Sequence, residues 1–206
     1  MLKPADTQYD IHDLLKNRWS PRTFSSQSID SGTLLSLLEA ARWSPSGGNS
    51  QPWSFIVVTQ DDPEIHRQLV ETMTGNNPRW AHRAPMLILT IARLNTEKPE
   101  ANRFAYYDLG QAVAHLTVQA SAFGLDVHQM AGFDRVKARE LVQLPEGYDL
   151  MTVVAVGYPG NLEHLPDDLR EREVLPRSRK LLSEIAFKDH WNQPLVTVEA
   201  DLASGD

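Results

Sequence analysis

Arginine and hydroxyl side chains alternate along two short segments of this sequence. Arg18, Ser20 and Arg22 occupy every second position around a proline, and Arg177 and Arg179 repeat this spacing near the C-terminus. Because Ser20 precedes the proline, the first segment is predicted to be extended, which places its alternate side chains on one side. Two forked guanidinium groups and a hydroxyl on one side suit a phosphate group. The alternative is a surface loop whose arginines pair with acidic residues.

A neutral polar stretch, residues 45–53, lies between a helical pattern and a β-branched run. Gly47 and Gly48 permit positive φ and a close approach of the backbone to another group. If the chain then runs extended, Asn49 and Gln51 point to the same side and form an uncharged hydrogen-bonding surface. Such a surface suits a polyol or the edge of a heterocycle. The alternative is a loop whose amides bond their own backbone.

Histidine, glycine and serine motifs predict no catalytic side chain and no metal site. The seven histidines include no i, i+4 pair and no HExxH motif. His115 is interpreted as a core residue of a helix, whereas His128 ends a predicted strand near Gly132 and is kept as a candidate for the site. The glycine positions do not allow a Rossmann fingerprint or a P-loop. No serine or threonine lies in a nucleophile motif.

Composition restricts the class of protein. The length of 206 residues fits a single domain spanning residues 1–206, and the net charge of −7 argues against binding nucleic acid or anionic membranes through a basic field. With no cysteine in the chain, disulfide scaffolds, iron–sulfur clusters and thiol nucleophiles are excluded. The N-terminus has no apolar signal region, and the longest apolar run is far short of the roughly 20 residues that span a bilayer. The cytoplasm is the predicted location.

Hydrophobic periodicity predicts helices intermixed with strands. The predicted helices cover residues 9–17, 30–43, a segment from 62 to 75, 103–123, 134–142 and 181–188. The predicted strands cover residues 55–59, 85–92, 125–130, 150–156 and 195–198, and residues 162–172 are predicted to be a mobile loop. Asp30, Asp62 and Asp134 are predicted N-caps, and Gly124 closes the longest helix. The continuously apolar run 85–92 predicts a central strand covered on both faces, and the element order predicts an α+β fold or a mixed three-layer sandwich.

Taken together, these motifs resemble the nitroreductase family of FMN-dependent oxidoreductases. The segments that carry the resemblance, in the family's order, are residues 18–24, 45–53, 107–112, 130–134, 156–159 and 177–179. The resemblance implies an α+β fold with a central mixed, mostly antiparallel sheet of four to five strands, covered by helices on both faces. It also implies an intertwined homodimer with two FMN sites at the subunit interface, in which the tail of about 189–206 wraps around the partner.

The resemblance also assigns the cofactor-binding residues. The resemblance implies that the flavin phosphate is bound by the first motif together with the C-terminal arginine pair. These residues are Arg18, Trp19, Ser20, Arg22, Arg177 and Arg179. The rest of the flavin is expected to contact the turn and a glycine segment whose backbone faces flavin N5. The turn residues are Pro45, Ser46, Asn49 and Gln51, and the segment residues are Ala131 and Gly132. Some relatives carry an acidic residue just before that glycine, where this chain has Ala131.

The implied activity is hydride transfer from NADH or NADPH, through bound FMN, to a small acceptor such as a nitroaromatic or a quinone. Since the flavin supplies the chemistry, no acid–base pair or metal is needed, and ping-pong kinetics are expected. The alternatives are a protein that stores or delivers FMN, a specialised flavin enzyme similar to dehalogenase or dehydrogenase relatives, and a plain binder of phosphate ligands.

Overall fold

The computed structural model describes residues 3–95 and 100–196. The chain divides into two compact units. Residues 1–18 and 174–206 form the first, called here the terminal unit, and residues 19–173 form the second, called the sheet unit. The prediction that residues 1–206 make one domain stays a prediction.

In its described residues, the sheet unit is built on four strands. They are β1 (Trp53–Thr59), β2 (Met86–Arg93), β3 (Asp126–Met130) and β4 (Tyr148–Gly157). Their order across the sheet is β1-β2-β4-β3, and every neighbouring pair runs antiparallel. The predicted fold class is confirmed, although the described sheet is purely antiparallel rather than mixed.

Strand β2 lies in the middle of the sheet, as its apolar run predicts. All of its residues from Met86 to Ala92 are buried. The polar exception, Thr90, is satisfied because its hydroxyl lies 2.8 Å from the hydroxyl of Thr152 on β4. A strand buried on both faces must be covered by other elements on both sides.

Helices cover both faces of the sheet. In chain order the helices are α1 (Asp13–Asn17), α2 (Ser31–Arg42), α3 (Pro63–Glu71), α4 (Pro78–Ala81), α5 (Ala105–Ala122), α6 (Arg135–Leu141) and α7 (Asp167–Val174). On one face, Leu37 of α2 and Leu116 of α5 belong to the same buried cluster as Ile88. On the other face, Trp80 of α4 and Leu169 of α7 belong to the cluster of the opposite side chains. The prediction of helices on both faces is confirmed.

The predicted helix caps are confirmed by their hydrogen bonds. Asp30 accepts the Thr33 N–H at 2.9 Å, and Asp134 accepts the N–H groups of the first turn of α6. Asp62 caps α3 in the same way, with proline at the first helical position. Gly124 has φ +71°, so it ends α5 in the left-handed conformation that glycine adopts without strain.

Two predictions near the C-terminus are wrong. The segment 162–172, expected to be a mobile loop, forms a 3₁₀ turn (Leu162–His164) and then α7. Two aspartates in the first turn of α7 favour its N-terminus, and Leu169 is fully buried. The expected helix 181–188 is only a 3₁₀ turn (Leu182–Glu184).

Residues 186–195 of the terminal unit form a hairpin. The Leu195 N–H donates to Ala186 O at 2.9 Å, and the Lys188 N–H donates to Gln193 O at 2.8 Å. Residues 197–198 of the predicted late strand, and most of the tail predicted to wrap a partner, lie outside the described residues. The helix predicted over 9–17 begins only at Asp13. In the part of the chain that the structure describes, no helix is both long and apolar enough to cross a bilayer.

Candidate functional site

Three of the predicted phosphate-binding arginines come together in the terminal unit. Burial lowers the pKa of Arg18, and the charges of Arg177 and Arg179 lower that pKa further. Burial and then the charge of Arg179 likewise lower the pKa of Arg177. These side chains therefore share one positive field, in which an anion would stabilise all three guanidinium groups.

The backbone of the terminal unit holds Arg177 in place. Its Nη1 donates to Lys3 O at 2.7 Å and to Lys16 O at 3.1 Å. Lys16 lies in the last turn of α1, where carbonyl groups lack intrahelical partners. Arg179 is exposed and donates only locally, to Ser178 O at 2.7 Å, among the contacts described. The cluster thus contains one anchored arginine and one facing solvent.

Arg22 is held differently, by an ion pair in the sheet unit. The carboxylate of Glu173 accepts the Arg22 backbone N–H at 2.6 Å and its Nη1 at 2.8 Å. The Glu173 side chain is 1% exposed and that of Arg22 is 24% exposed. Arg22 is therefore neutralised before any ligand binds, yet its five N–H donors leave some for a second anion. Nearby, Trp19 is half-buried and Ser20 is exposed.

His128 positions the same segment from strand β3. Its Nδ1 lies 2.9 Å from Pro21 O, and since a carbonyl can only accept, Nδ1 carries the proton. The imidazole also packs against the indole ring of Trp80, with ring centroids 4.5 Å apart. The candidate histidine is therefore next to the predicted phosphate segment, where it contacts the backbone between Ser20 and Arg22.

The neutral stretch forms a tight turn rather than an extended surface. Residues 47–49 make a 3₁₀ turn, and φ is +57° at Gly48, +56° at Asn49 and +43° at Gln51. The chain curls because the Gln51 N–H donates to the Ser46 hydroxyl at 3.0 Å. The prediction that Asn49 and Gln51 share one side of an extended chain is therefore wrong, since that alternation requires extended backbone.

Polar groups of this turn remain available to a ligand. Pro45, Asn49 and Gln51 are exposed and Ser46 is half-buried, although the Gln51 amide also donates to Asn49 O at 3.3 Å. The Ser50 hydroxyl is buried and has no hydrogen-bond partner among the described residues. A buried hydroxyl without a partner is a group that a bound molecule or water must satisfy.

The glycine segment after β3 packs closely against the side chains of Asn77 and Thr74. Gly132 O accepts the Thr74 N–H at 2.9 Å and the Asn77 side-chain amide at 3.1 Å. A Cβ on Gly132 would lie 2.9 Å from Asn77 Nδ2 and 3.2 Å from Thr74 Oγ1. Ala131, which precedes it, is exposed. The segment therefore offers backbone and a methyl group, but no acid, to a ligand.

The turn and the glycine segment lie at opposite edges of the described sheet. The turn enters β1 and Gly132 follows β3, which are the two edge strands. Three inter-strand spacings, about 14 Å, separate these edges. The segment around Arg22 lies with β3, because His128 is on that strand. In the sheet unit, the predicted site residues therefore lie in two places. The turn is at the β1 edge of the sheet, and the Arg22 and Gly132 segments are at the β3 edge.

Sequence reasoning missed three residues that hold these segments. Glu173 directly follows the predicted loop 162–172 and lies 151 positions from Arg22. Asp108 is 2% exposed on α5, and its Oδ2 accepts the Gly47 N–H at 3.1 Å. His115, interpreted as a core residue, is exposed and has its Nδ1 2.8 Å from Ser44 Oγ. Asp108 lies in segment 107–112, which carries the family resemblance, but no local pattern indicated that its carboxylate binds the turn.

The family assignment follows from comparison with known proteins. The model of the nitroreductase family matches residues 15–79 and 63–158. The chain belongs to the nitroreductase family. The predicted family is thereby confirmed, and the matched range includes the first arginine motif, the turn and the glycine segment of this nitroreductase-family chain.

Individual relatives and solved structures support this family assignment. A Thermus thermophilus protein named NADH dehydrogenase is 30% identical over 177 residues, covering 70% of this chain and 84% of its own. An uncharacterized 15.4 kDa protein of Mycolicibacterium smegmatis is 38% identical over 121 residues, covering 59% of this chain and 80% of its own. A crystal structure described as "the oxidoreductase containing FMN" superposes with a TM-score of 0.86 at 33% identity, covering 91% of this chain and 96% of that one.

Proposed function

We propose that this chain transfers a hydride from NADH or NADPH, through FMN, to a small acceptor such as a nitroaromatic or a quinone. The chain is an oxidoreductase of the nitroreductase family, and FMN is its cofactor. The observation that carries the proposal is the group of arginines in the terminal unit. Burial and then the charges of Arg177 and Arg179 lower the pKa of Arg18, and burial and then the charge of Arg179 lower the pKa of Arg177. The cytoplasm remains the predicted location.

In this proposal, the arginine group binds the flavin phosphate. A dianion beside Arg18, Arg177 and Arg179 would offset their mutual repulsion through charge-assisted hydrogen bonds. Trp19, Ser20 and Arg22, in the sheet unit, stay predicted phosphate-binding residues. Since Glu173 already neutralises Arg22, we assign most of the electrostatic affinity to the three arginines of the terminal unit.

The uncharged part of the flavin is proposed to contact neutral groups. Pro45, Ser46, Asn49 and Gln51 form one such surface. The Ser50 hydroxyl, which is buried without a partner among the described residues, supports a ligand beside it. Ala131 and the backbone of Gly132 are proposed to face the flavin ring near N5. Because neither can give a proton, the protein's own part there is to orient the reactants and limit access of water.

When bound, FMN supplies the hydride-transfer chemistry. We propose that NAD(P)H and the acceptor occupy the same position in turn, since no separate dinucleotide motif is present in the sequence. This gives ping-pong kinetics, with parallel double-reciprocal lines when both substrates are varied. Intersecting lines would show that a ternary complex forms.

A homodimer is proposed to complete each site. The turn and the Gly132 segment are separated by about 14 Å of sheet, which supports a site built from the turn of one chain and the Gly132 edge of another. A mixing experiment tests this arrangement. Gln51→Glu and Gly132→Val homodimers should each be inactive, and dimers re-formed from a mixture should regain about a quarter of the activity, because half of the dimers contain one intact site. No regained activity would place each site within one chain.

The first test of function is the visible spectrum of the purified protein, followed by anaerobic stopped-flow mixing with NADH and with NADPH. Bound flavin that loses its absorbance rapidly with either nucleotide, and regains it with a nitroaromatic or a quinone, supports the proposal. Bound flavin that is barely reduced would indicate FMN storage or delivery instead. A colourless protein that does not take up FMN would indicate a binder of other phosphate ligands.

A further inference from the structure

Helix α5 holds the flavin-facing turn at two points. The Asp108 carboxylate accepts the Gly47 N–H at 3.1 Å, and His115 Nδ1 lies 2.8 Å from Ser44 Oγ. Asp108 and His115 are seven residues apart, which is two helical turns, so they lie on one face of α5 about 10 Å apart. The two contacts therefore fix both ends of the segment 44–47.

The position of Asp108 makes its contact with the turn strong. It is 2% exposed and lies in the first turn of α5, where the helix dipole stabilises a carboxylate. A buried carboxylate is costly unless hydrogen bonds compensate it, so the Gly47 N–H and the acid depend on each other. Gly47 is also packed on this helix, since a Cβ there would lie 3.5 Å from the Phe104 ring.

The rest of the turn is built on the segment that α5 holds. Ser46 accepts the Asn49 N–H through its carbonyl and the Gln51 N–H through its hydroxyl. Asn49 and Gln51 both have positive φ, a conformation that persists only where the surroundings impose it. Loss of the contact at Gly47 would let these two residues relax and would move the exposed amides.

We infer that Asp108 is a positioning residue for flavin binding, which acts by holding the Gly47 N–H and thereby the conformation of residues 45–51, with His115 as a second anchor. This inference rests on the proposed function, because the turn must face the flavin. Asp108 is not proposed to contact the flavin itself. It sets where Ser46, Asn49 and Gln51 present their polar groups.

Three variants and a control test this role. Asp108→Ala removes the acceptor, whereas Asp108→Asn keeps an oxygen that can accept the Gly47 N–H. His115→Phe removes the second anchor at an exposed position, so folding should tolerate it. Thr117→Val is the control, because Thr117 is also buried on α5 and, among the described residues, its hydroxyl bonds within its own helix, at Val113 O.

The measurements are the FMN dissociation constant and spectrum, and amide hydrogen exchange at residues 45–51 in the apoprotein. Asp108→Ala should weaken FMN binding about tenfold, as expected for loss of one hydrogen bond to a charged group, shift the flavin spectrum and speed exchange at Gly47. His115→Phe should do the same to a smaller extent. Asp108→Asn should stay within about threefold of the wild type, and Thr117→Val should change thermal stability alone.

Two results would overturn the inference. One is faster exchange at Gly47 in Asp108→Ala with unchanged FMN affinity and spectrum, which would make the contact purely structural. The other is an equal loss of FMN affinity in Thr117→Val, which would trace the effect to general destabilisation of α5. Failure of the proposed function looks different, because the wild-type protein would then bind no FMN while Gly47 protection would still depend on Asp108.

Discussion

The carboxylate of Glu173 binds Arg22 through both its backbone N–H and its guanidinium group, at 2.6 and 2.8 Å. One acid at the end of α7 thus fixes the main chain and the side chain of a residue 151 positions away in sequence. Because Glu173 is buried, removing it takes the carboxylate away from the Arg22 guanidinium group in a site with little water. The pair fixes the position of the segment that precedes the core residue Phe24.

Glu173→Leu should therefore lower the free energy of unfolding by about 2–4 kcal/mol, since the Arg22 charge loses its partner. Urea unfolding followed by circular dichroism measures this. The matched control is Asp168→Asn, at a position on the same helix as Glu173. It breaks the exposed ion pair between Asp168 and Arg79 of α4 and should change stability very little. Equal losses in both variants would mean that the buried pair contributes no more than a surface pair.

Arg18→Ala should weaken FMN binding by about 1.5–3 kcal/mol, the usual value of a charge-assisted hydrogen bond. Arg22→Ala should weaken it less, because Glu173 already neutralises that arginine. Titration of apoprotein with FMN, followed by flavin fluorescence, measures both. Lys137→Ala removes the same charge from an exposed position on α6 and should leave FMN affinity unchanged. Unchanged affinity in Arg18→Ala would remove this arginine from the phosphate site.

Asp126 should make the protein less stable as the pH rises from about 4 to 6. Burial, aided by the negative charge of Glu173, raises the pKa of Asp126 from 3.8 to about 6 in the folded state. Since its folded pKa lies above the unfolded value, ionisation of Asp126 favours the unfolded chain, and this penalty is complete above pH 6.

Asp126→Asn should therefore increase the free energy of unfolding at pH 7.5 by about 1–2 kcal/mol, after allowance for the partial exposure of this carboxyl. The gain should disappear near pH 3.5, where Asp126 is protonated in both states. Urea unfolding of wild type and variant at the two pH values gives the difference directly. Asp10→Asn, at an exposed position, is the control. A gain of equal size at both pH values would show that titration of Asp126 is not its cause.

Gln51→Gly should separate stability from flavin binding. Glycine adopts the observed φ of +43° without strain, so the variant should gain about 0.5–1 kcal/mol of stability or at least lose none. The same change removes an amide from the proposed flavin surface and should weaken FMN binding. Gln143→Gly, with φ +50° in a turn after α6, should show the stability effect without the loss of FMN affinity. Equal FMN affinity in both variants would exclude Gln51 from the site.

Local sequence signals predicted much of this fold. Asp30, Asp62 and Asp134 cap helices because each is followed by N–H groups that need an acceptor, which is a property of a few adjacent residues. The buried strand β2 was also predicted correctly, since an uninterrupted apolar run has no polar face that could lie against water. The alternation of arginines predicted a phosphate site, which stays a prediction.

What the sequence could not provide was the conformation imposed by distant residues. The extended geometry expected for Asn49 and Gln51 failed because the Ser46 hydroxyl and the α5 residue Asp108 impose a turn. The charge state of the segment around Arg22 depends on Glu173, a contact between elements that no local pattern encodes. Helix α7 was missed because its many charged residues concealed one buried leucine.

The placement of the turn and the Gly132 segment on opposite edge strands affects how the activity depends on the amount of protein. Under the proposed pairing, a lone chain has no complete site. At chain concentrations below the dimer dissociation constant, the reaction rate should then rise with the square of the amount of protein rather than in proportion to it. In that range, doubling the amount of protein would raise the activity about fourfold without any regulatory ligand.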